Sequence, residues 1–149
     1  MKKKKILISA CLTGEKCRYD GKNQLDKRVV DLAGKYDLIS VCPEKLGGLK
    51  IPRPPAEIVP GREGKVMDET GKDVTELFIK GAEKTLEIIR SKGIKVAVLK
   101  DKSPSCGSRF VYSGDFSGTL VEGIGITAEL LIDKGIKVLD ENDFEEELK

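Results

Sequence analysis

The chain has no histidine and no tryptophan among its 149 residues. Without histidine, neither a Ser-His-Asp triad nor a Cys-His pair can form. Any metal site must use thiolate, carboxylate, hydroxyl, backbone or an outside ligand. Without tryptophan, stacking falls to Tyr19, Tyr36, Tyr112, Phe78, Phe110, Phe116 or Phe144. No segment approaches the roughly 18 uninterrupted apolar residues of a membrane span. The apolar run behind the N-terminal lysines is too short for a secretory signal. A strong charge of one sign is also missing: 27 basic and 25 acidic residues leave a formal charge of +2. That balance lacks the basic excess of a nucleic-acid binder. The run Met1-Lys2-Lys3-Lys4-Lys5 reads as a solvated lead-in to a strand. A cytoplasmic protein with neither a membrane partner nor a stable nucleic-acid partner is expected. Finally, the four cysteines include no C-x-x-C pair, so no zinc ribbon or knuckle is recognisable. In a reducing compartment such thiols serve as metal ligands or reactive groups rather than disulfide partners.

What is present alternates between strand and helix patterns. Strands are predicted over Lys5–Ala10, Asp37–Val41, Ile94–Leu99 and Ile136–Leu139, with a short one possible over Arg109–Tyr112. Helices are predicted over Asp26–Tyr36, from Asp73 to Gly93, over Gly125–Lys134, and over Asp140–Leu148. Between Pro43 and Gly71, Pro52, Pro54, Pro55 and Pro60 exclude a long helix or central strand and leave a packed loop. The alternation predicts one α/β domain over 1–149, a sandwich with a mainly parallel, Rossmann-like sheet flanked by helices.

The cysteines follow this pattern. Cys11 comes directly after the first predicted strand, Cys42 after the second, and Cys106 lies in the loop after the third. Ligands of open α/β sheets bind beyond the carboxyl ends of the strands. Three thiolates are therefore expected to converge on one sheet edge, with Cys17 a fourth ligand or a neighbour. Small buried apolar residues are the plainer reading of such cysteines, and a four-thiolate zinc site is another. Three thiolates suit a [4Fe–4S] cluster. An iron without a protein ligand is then free to take a substrate atom, and soft iron favours soft sulfur.

Polar residues crowd the same loops. Cys42-Pro43-Glu44 sets a carboxylate two residues after a candidate ligand, and Glu44 is the leading acid–base candidate in a chain without histidine. An exposed glutamate on a turn is the alternative. Ser103-Pro104-Ser105-Cys106-Gly107-Ser108 offers hydroxyls and amides to a cluster or a substrate oxygen, or is a simple connecting turn. Arg18, Tyr19 and Asp20 offer a guanidinium, a ring and a carboxylate to a planar or anionic substrate, although Asp20-Gly21 is equally a turn signal. Arg53-Pro54-Pro55-Ala56-Glu57 either buttresses the cleft or is a rigid loop with a surface ion pair. Gly123-Ile124-Gly125-Ile126-Thr127-Ala128 fits G-x-G-x-x-A with Asp140 downstream, but a glycine-opened helix against the sheet is favoured over dinucleotide binding.

Taken together, Ile8-Ser9-Ala10-Cys11-Leu12, Cys17-Arg18-Tyr19-Asp20-Gly21, Val41-Cys42-Pro43-Glu44, the Arg53–Glu57 run, Gly71-Lys72-Asp73-Val74-Thr75 and the Ser103–Ser108 run resemble the bacterial thiouracil desulfidase (TudS-like) family. The resemblance spans almost the whole chain. It implies a [4Fe–4S] enzyme acting on a thiolated nucleobase such as 2-thiouracil. Carried onto this sequence, it implies Cys11, Cys42 and Cys106 as cluster ligands and Glu44 as the acid–base residue. Ser103, with Ser105 next, would be the assisting hydroxyl. The residues themselves, apart from the resemblance, offer Arg18, Tyr19, Asp20 and Ser108 as substrate contacts. Two rivals differ in class: a cluster-free sulfurtransferase carrying a persulfide on Cys106, and a non-catalytic zinc module.

Overall fold

The computed structural model describes residues 3–59 and 65–148. Met1 and Lys2 of the basic lead-in and Pro60 of the proline-rich loop lie outside the described residues. In chain order the elements are β1 (Lys5–Ser9), α1 (Lys27–Val30), β2 (Asp37–Val41), α2 (Pro43–Leu46), β3 (Ala56–Ile58), β4 (Val66–Asp68), α3 (Thr75–Lys92), β5 (Val96–Leu99), β6 (Phe110–Tyr112), β7 (Leu120–Glu122), α4 (Ile126–Asp133), β8 (Lys137–Asp140) and α5 (Phe144–Glu147).

Side chains alternate across a strand, and β1 shows why it sits inside the sandwich. Ile6 and Ile8 pack with Val98, Leu139, Val29 and Phe144 on one side. Leu7 packs with Ala97, Leu99, Leu86, Ile89 and Leu131 on the other. A strand buried on both faces is the signature of a parallel interior. The sheet order is β2-β1-β5-β8, and every pairing is parallel. Two antiparallel hairpins, β3-β4 and β6-β7, stand apart from it. The α/β sandwich with a parallel sheet is thus as expected. No helix of the described residues is long and apolar enough to cross a membrane.

Several local boundaries differ from the sequence reading. The helix expected over Asp26–Tyr36 has only one α-turn before a 3-10 turn at Asp31–Gly34. The terminal helix is confined to Phe144–Glu147. Cys42-Pro43, read as a stop after β2, is also a start: Pro43 is the first residue of α2. Proline suits that position because its missing amide would be unpaired there anyway.

Helix α2 lies directly on α3. A Cβ on Gly47 would stand 1.9 Å from the Leu77 carbonyl oxygen, and one on Gly81 would stand 2.0 Å from that of Pro43. Only glycine permits this approach, and it fixes the height of the Cys42–Glu44 segment above the sheet.

Candidate active site

Strand order sets the site. From β1 the chain goes first to β2 on one side, and later enters β5 on the other side. The crevice beyond the carboxyl ends of β1 and β5 is therefore a topological switch point, the usual ligand position in open α/β sheets. The two ends are tied there: the Ser9 hydroxyl accepts the Lys100 amide at 2.9 Å. A cavity of about 850 Å³ opens above, and Cys11, Cys17, Cys42 and Cys106 all line it.

Each thiol arrives by a different local device. Cys11 sits in the 3-10 turn Ala10–Thr13 that continues β1. Cys42 stands at the N-cap of α2. Cys106 rides on the turn after β5, where the Ser103 hydroxyl accepts the amides of Ser105 and Cys106, each at 3.0 Å. Cys17, left out of the expected ligand set, lies between Cys11 and Cys42 and exchanges thiol contacts with both. Hydrogen bonding to Cys11, with burial, lifts the Cys17 thiol to about 11, although Cys42 pulls the other way. The Cys42 thiol is held well above its ordinary range by Cys17 and then by burial. Burial pushes Cys106 up to about 12, against hydrogen bonds from Ser9 and Ser105 that lower it.

This donor set fits an iron–sulfur cluster. Its soft thiols come from three strand ends, and iron binding would displace their protons. Among the described residues, no three Cys, Asp or Glu side chains are grouped as for a single metal ion. A cluster asks for something different, one thiolate per iron. Thiols that hold their protons at neutral pH are poor nucleophiles, which weighs against Cys106 as a cluster-free persulfide carrier.

Glu44 lines the same cavity. Its carboxylate accepts from Arg53 Nη2 at 2.9 Å, and the two side chains are 20% and 6% exposed. Burial raises the Glu44 pKa while the Arg53 charge and hydrogen bond lower it. Arg53 also donates to the carbonyls of Lys50 at 3.1 Å and Cys17 at 3.2 Å. The guanidinium thus joins the Cys17 loop, the proline-rich loop and α2 at one point. The Arg53–Glu57 run is therefore no surface ion pair: Arg53 serves Glu44, and Glu57 is buried.

The remaining candidates separate. Ser103 lines the cavity. Because its oxygen accepts two amides, the hydroxyl proton is what it has left to give. Arg18 and Tyr19 line the wall, with the guanidinium 5.6 Å from the ring centroid. Ser105 is 1% exposed, and its hydroxyl pairs with that of Thr127 on α4 at 2.7 Å while also reaching the Cys106 thiol. Asp20 accepts the Lys22 amide at 3.0 Å, stands 3.5 Å from Arg18, and lies outside the wall, as does Ser108. Sequence reasoning missed Arg53 as the partner of Glu44.

The glycine-rich stretch has a packing role. A Cβ on Gly125 would stand 2.5 Å from the Ser105 carbonyl carbon. Asp140, the candidate ribose acid, is engaged by Arg109 at 3.0 Å. The favoured reading, a glycine-opened helix packed close to the sheet, matches this placement.

Comparison with known proteins agrees with the geometry. The chain is 41% identical to the uncharacterized protein YbbK of Bacillus subtilis (strain 168) over 145 residues, covering 93% of this chain and 96% of YbbK. A solved structure described as the [4Fe-4S]-dependent thiouracil desulfidase TudS superposes with a TM-score of 0.88 at 42% identity, covering 97% of this chain and 95% of that one. The family model for 2-thiouracil desulfurase matches residues 6–143, a span that takes in every cysteine of the cavity, and the chain belongs to that family.

Proposed function

We propose that this protein is a [4Fe–4S]-dependent desulfidase that exchanges the sulfur of a thiolated nucleobase such as 2-thiouracil for oxygen. One observation carries the reading: thiols following three parallel strands line a single cavity with a half-buried, arginine-held carboxylate. The likeness to TudS supports it.

Cys11, Cys42 and Cys106 would hold the cluster. When bound, it supplies a soft Lewis acid at the iron that lacks a protein thiolate, suited to a thiocarbonyl sulfur. Glu44 takes a proton from a water that attacks the carbon bearing sulfur. Its buried position favours proton uptake, and Arg53 keeps the carboxylate from turning away. Ser103, with its lone pairs engaged by amides, donates its hydroxyl proton toward negative charge developing on the substrate. Arg18 and Tyr19 form the polar and aromatic rim. The sum is thiocarbonyl plus water giving carbonyl plus hydrogen sulfide, so no electron donor is consumed.

The test is anaerobic purification and reconstitution, with iron and sulfide assayed per chain. Conversion of 2-thiouracil to uracil is then followed by the loss of thiocarbonyl absorbance. A brown, active protein is expected. Activity in colourless, iron-free protein, or a loaded cluster with no turnover across thiolated bases, would overturn the proposal.

A further inference from the structure

Phe116 carries a backbone conformation that a bulky residue seldom adopts. Its φ is +58, one of only two non-glycine positive values among the described residues. The left-handed region is unfavourable for an ordinary L-residue, and such strain collects at ligand clamps. Something must hold it, and Glu57 does. This β3 carboxylate is 7% exposed, and one oxygen accepts the amides of Gly114 at 2.8 Å and Phe116 at 3.2 Å. A buried side chain contributed by one hairpin thus fixes the tip of the other. The turn is braced from within as well, with the Asp115 carboxylate accepting the Ser113 and Ser117 hydroxyls at 2.6 Å each. The half-buried Phe116 ring lines the cavity that holds the thiols.

We infer that Phe116 is a substrate-binding residue whose ring forms the flat wall against which a planar heterocycle stacks, and that Glu57 is the positioning residue that presents it. The identity of the heterocycle rests on the desulfidase reading; the stacking wall does not. A buried carboxylate and a strained backbone are a costly way to shape an idle loop. They are apt for a ring that must already face the cavity when the ligand arrives, because ordering it beforehand lowers the cost of binding.

The chain has no tryptophan, so a Phe116→Trp variant carries a single indole reporter. Uracil titrated into the cluster-loaded variant should quench its emission saturably. In the natural sequence background, Phe116→Ala and Phe116→Leu should each weaken uracil binding by calorimetry and raise KM about tenfold, with kcat nearly unchanged. Phe116→Tyr should restore both. Glu57→Ala should reproduce the loss with the ring intact, whereas Glu57→Gln, which still offers an oxygen to both amides, should retain most of the binding. Wild-type KM and uracil affinity in Phe116→Ala, or in Phe116→Leu where only bulk is kept, would overturn the inference. Quenching by uracil in a protein that turns over no thiolated base would support it while sinking the desulfidase reading. Turnover without quenching would do the reverse.

Discussion

Arg53 and Glu44 form an ion pair at 2.9 Å in which the arginine is almost wholly enclosed. The pair matters because the same guanidinium also holds the Lys50 and Cys17 carbonyls. A lysine offers no planar fork for three separate acceptors. Arg53→Lys should therefore keep the charge and still lower turnover, by up to about a hundredfold if Glu44 shifts by about 1 Å. Arg53→Met removes the partner of a half-buried carboxylate and should cost about 1–3 kcal/mol in urea unfolding. Equal unfolding midpoints for Arg53→Met and the parent would show that the pair adds nothing to the fold.

Glu44→Gln separates chemistry from assembly. The amide keeps the shape of the carboxylate but cannot take a proton. Iron content and the visible spectrum should match the parent, while turnover falls by a factor of about 10² to 10⁴. Steady-state rates normalised to loaded cluster check this, and unchanged rates would remove Glu44 from the mechanism.

The four thiols should divide three to one. Serine at position 11, 42 or 106 is expected to abolish retention of iron and sulfide after anaerobic reconstitution. Cys17→Ser should keep both, since Cys17 is a neighbour of Cys11 and Cys42 rather than a strand-end residue. Iron, sulfide and visible absorbance per chain make the comparison. Loss of iron in Cys17→Ser would give Cys17 a ligand's role.

Much of this site was legible because strand ends are. The β-branched runs before Cys11 and Cys42 and the apolar run before Cys106 mark where β1, β2 and β5 stop, and parallel sheets gather such ends on one edge. What could not be read depends on closure of loops in three dimensions. Nothing local shows that Arg53 reaches Glu44 instead of Glu57, or that the Ser105 hydroxyl is shared with Thr127 while Ser103 lines the cavity. Cys42-Pro43 was ambiguous for a local reason: proline ends a strand and opens a helix equally well, and here it does both. The apolar residues between Asp26 and Tyr36 suit a helix throughout, yet the turns tighten from Asp31.

Acid should loosen the region leading into α3 before the sheet itself. Hydrogen bonds from Thr75 and then Lys65 hold the Asp73 carboxyl down to about 2, and those from Thr70 and the Lys72 amide hold Asp68 below its usual value. A carboxyl depressed in the folded state binds protons less readily there than when unfolded. Its stabilisation is therefore complete above the ordinary aspartate range near about 4 and is lost as pH falls toward 2. Unfolding free energy measured down this range should fall more gently in Asp73→Asn, which has no proton to gain. Parallel curves for parent and variant would show that Asp73 plays no part.

The last expectation concerns Gly125, where α4 meets the turn that carries Cys106. Its amide donates to the Gly107 carbonyl at 2.6 Å, and the Ile126 and Thr127 amides donate to the Pro104 and Ser105 carbonyls, each at 2.9 Å. A methyl group at position 125 would meet the Ser105 carbonyl carbon at 2.5 Å and the Cys106 amide nitrogen at 2.9 Å. Both are backbone atoms and cannot swing aside as a side chain would, so either α4 or the thiol-bearing turn must move. Forcing a methyl into such packing typically costs about 1–3 kcal/mol. Gly125→Ala should therefore lower the thermal midpoint and, because the displaced turn carries Cys106, shorten the lifetime of the reconstituted cluster in air. Gly34→Ala, whose added Cβ meets nothing within 4 Å, is the matched control and should leave both unchanged. A Gly125→Ala protein that melts lower but holds its cluster as long as the control would show that α4 absorbs the shift and the Cys106 turn does not.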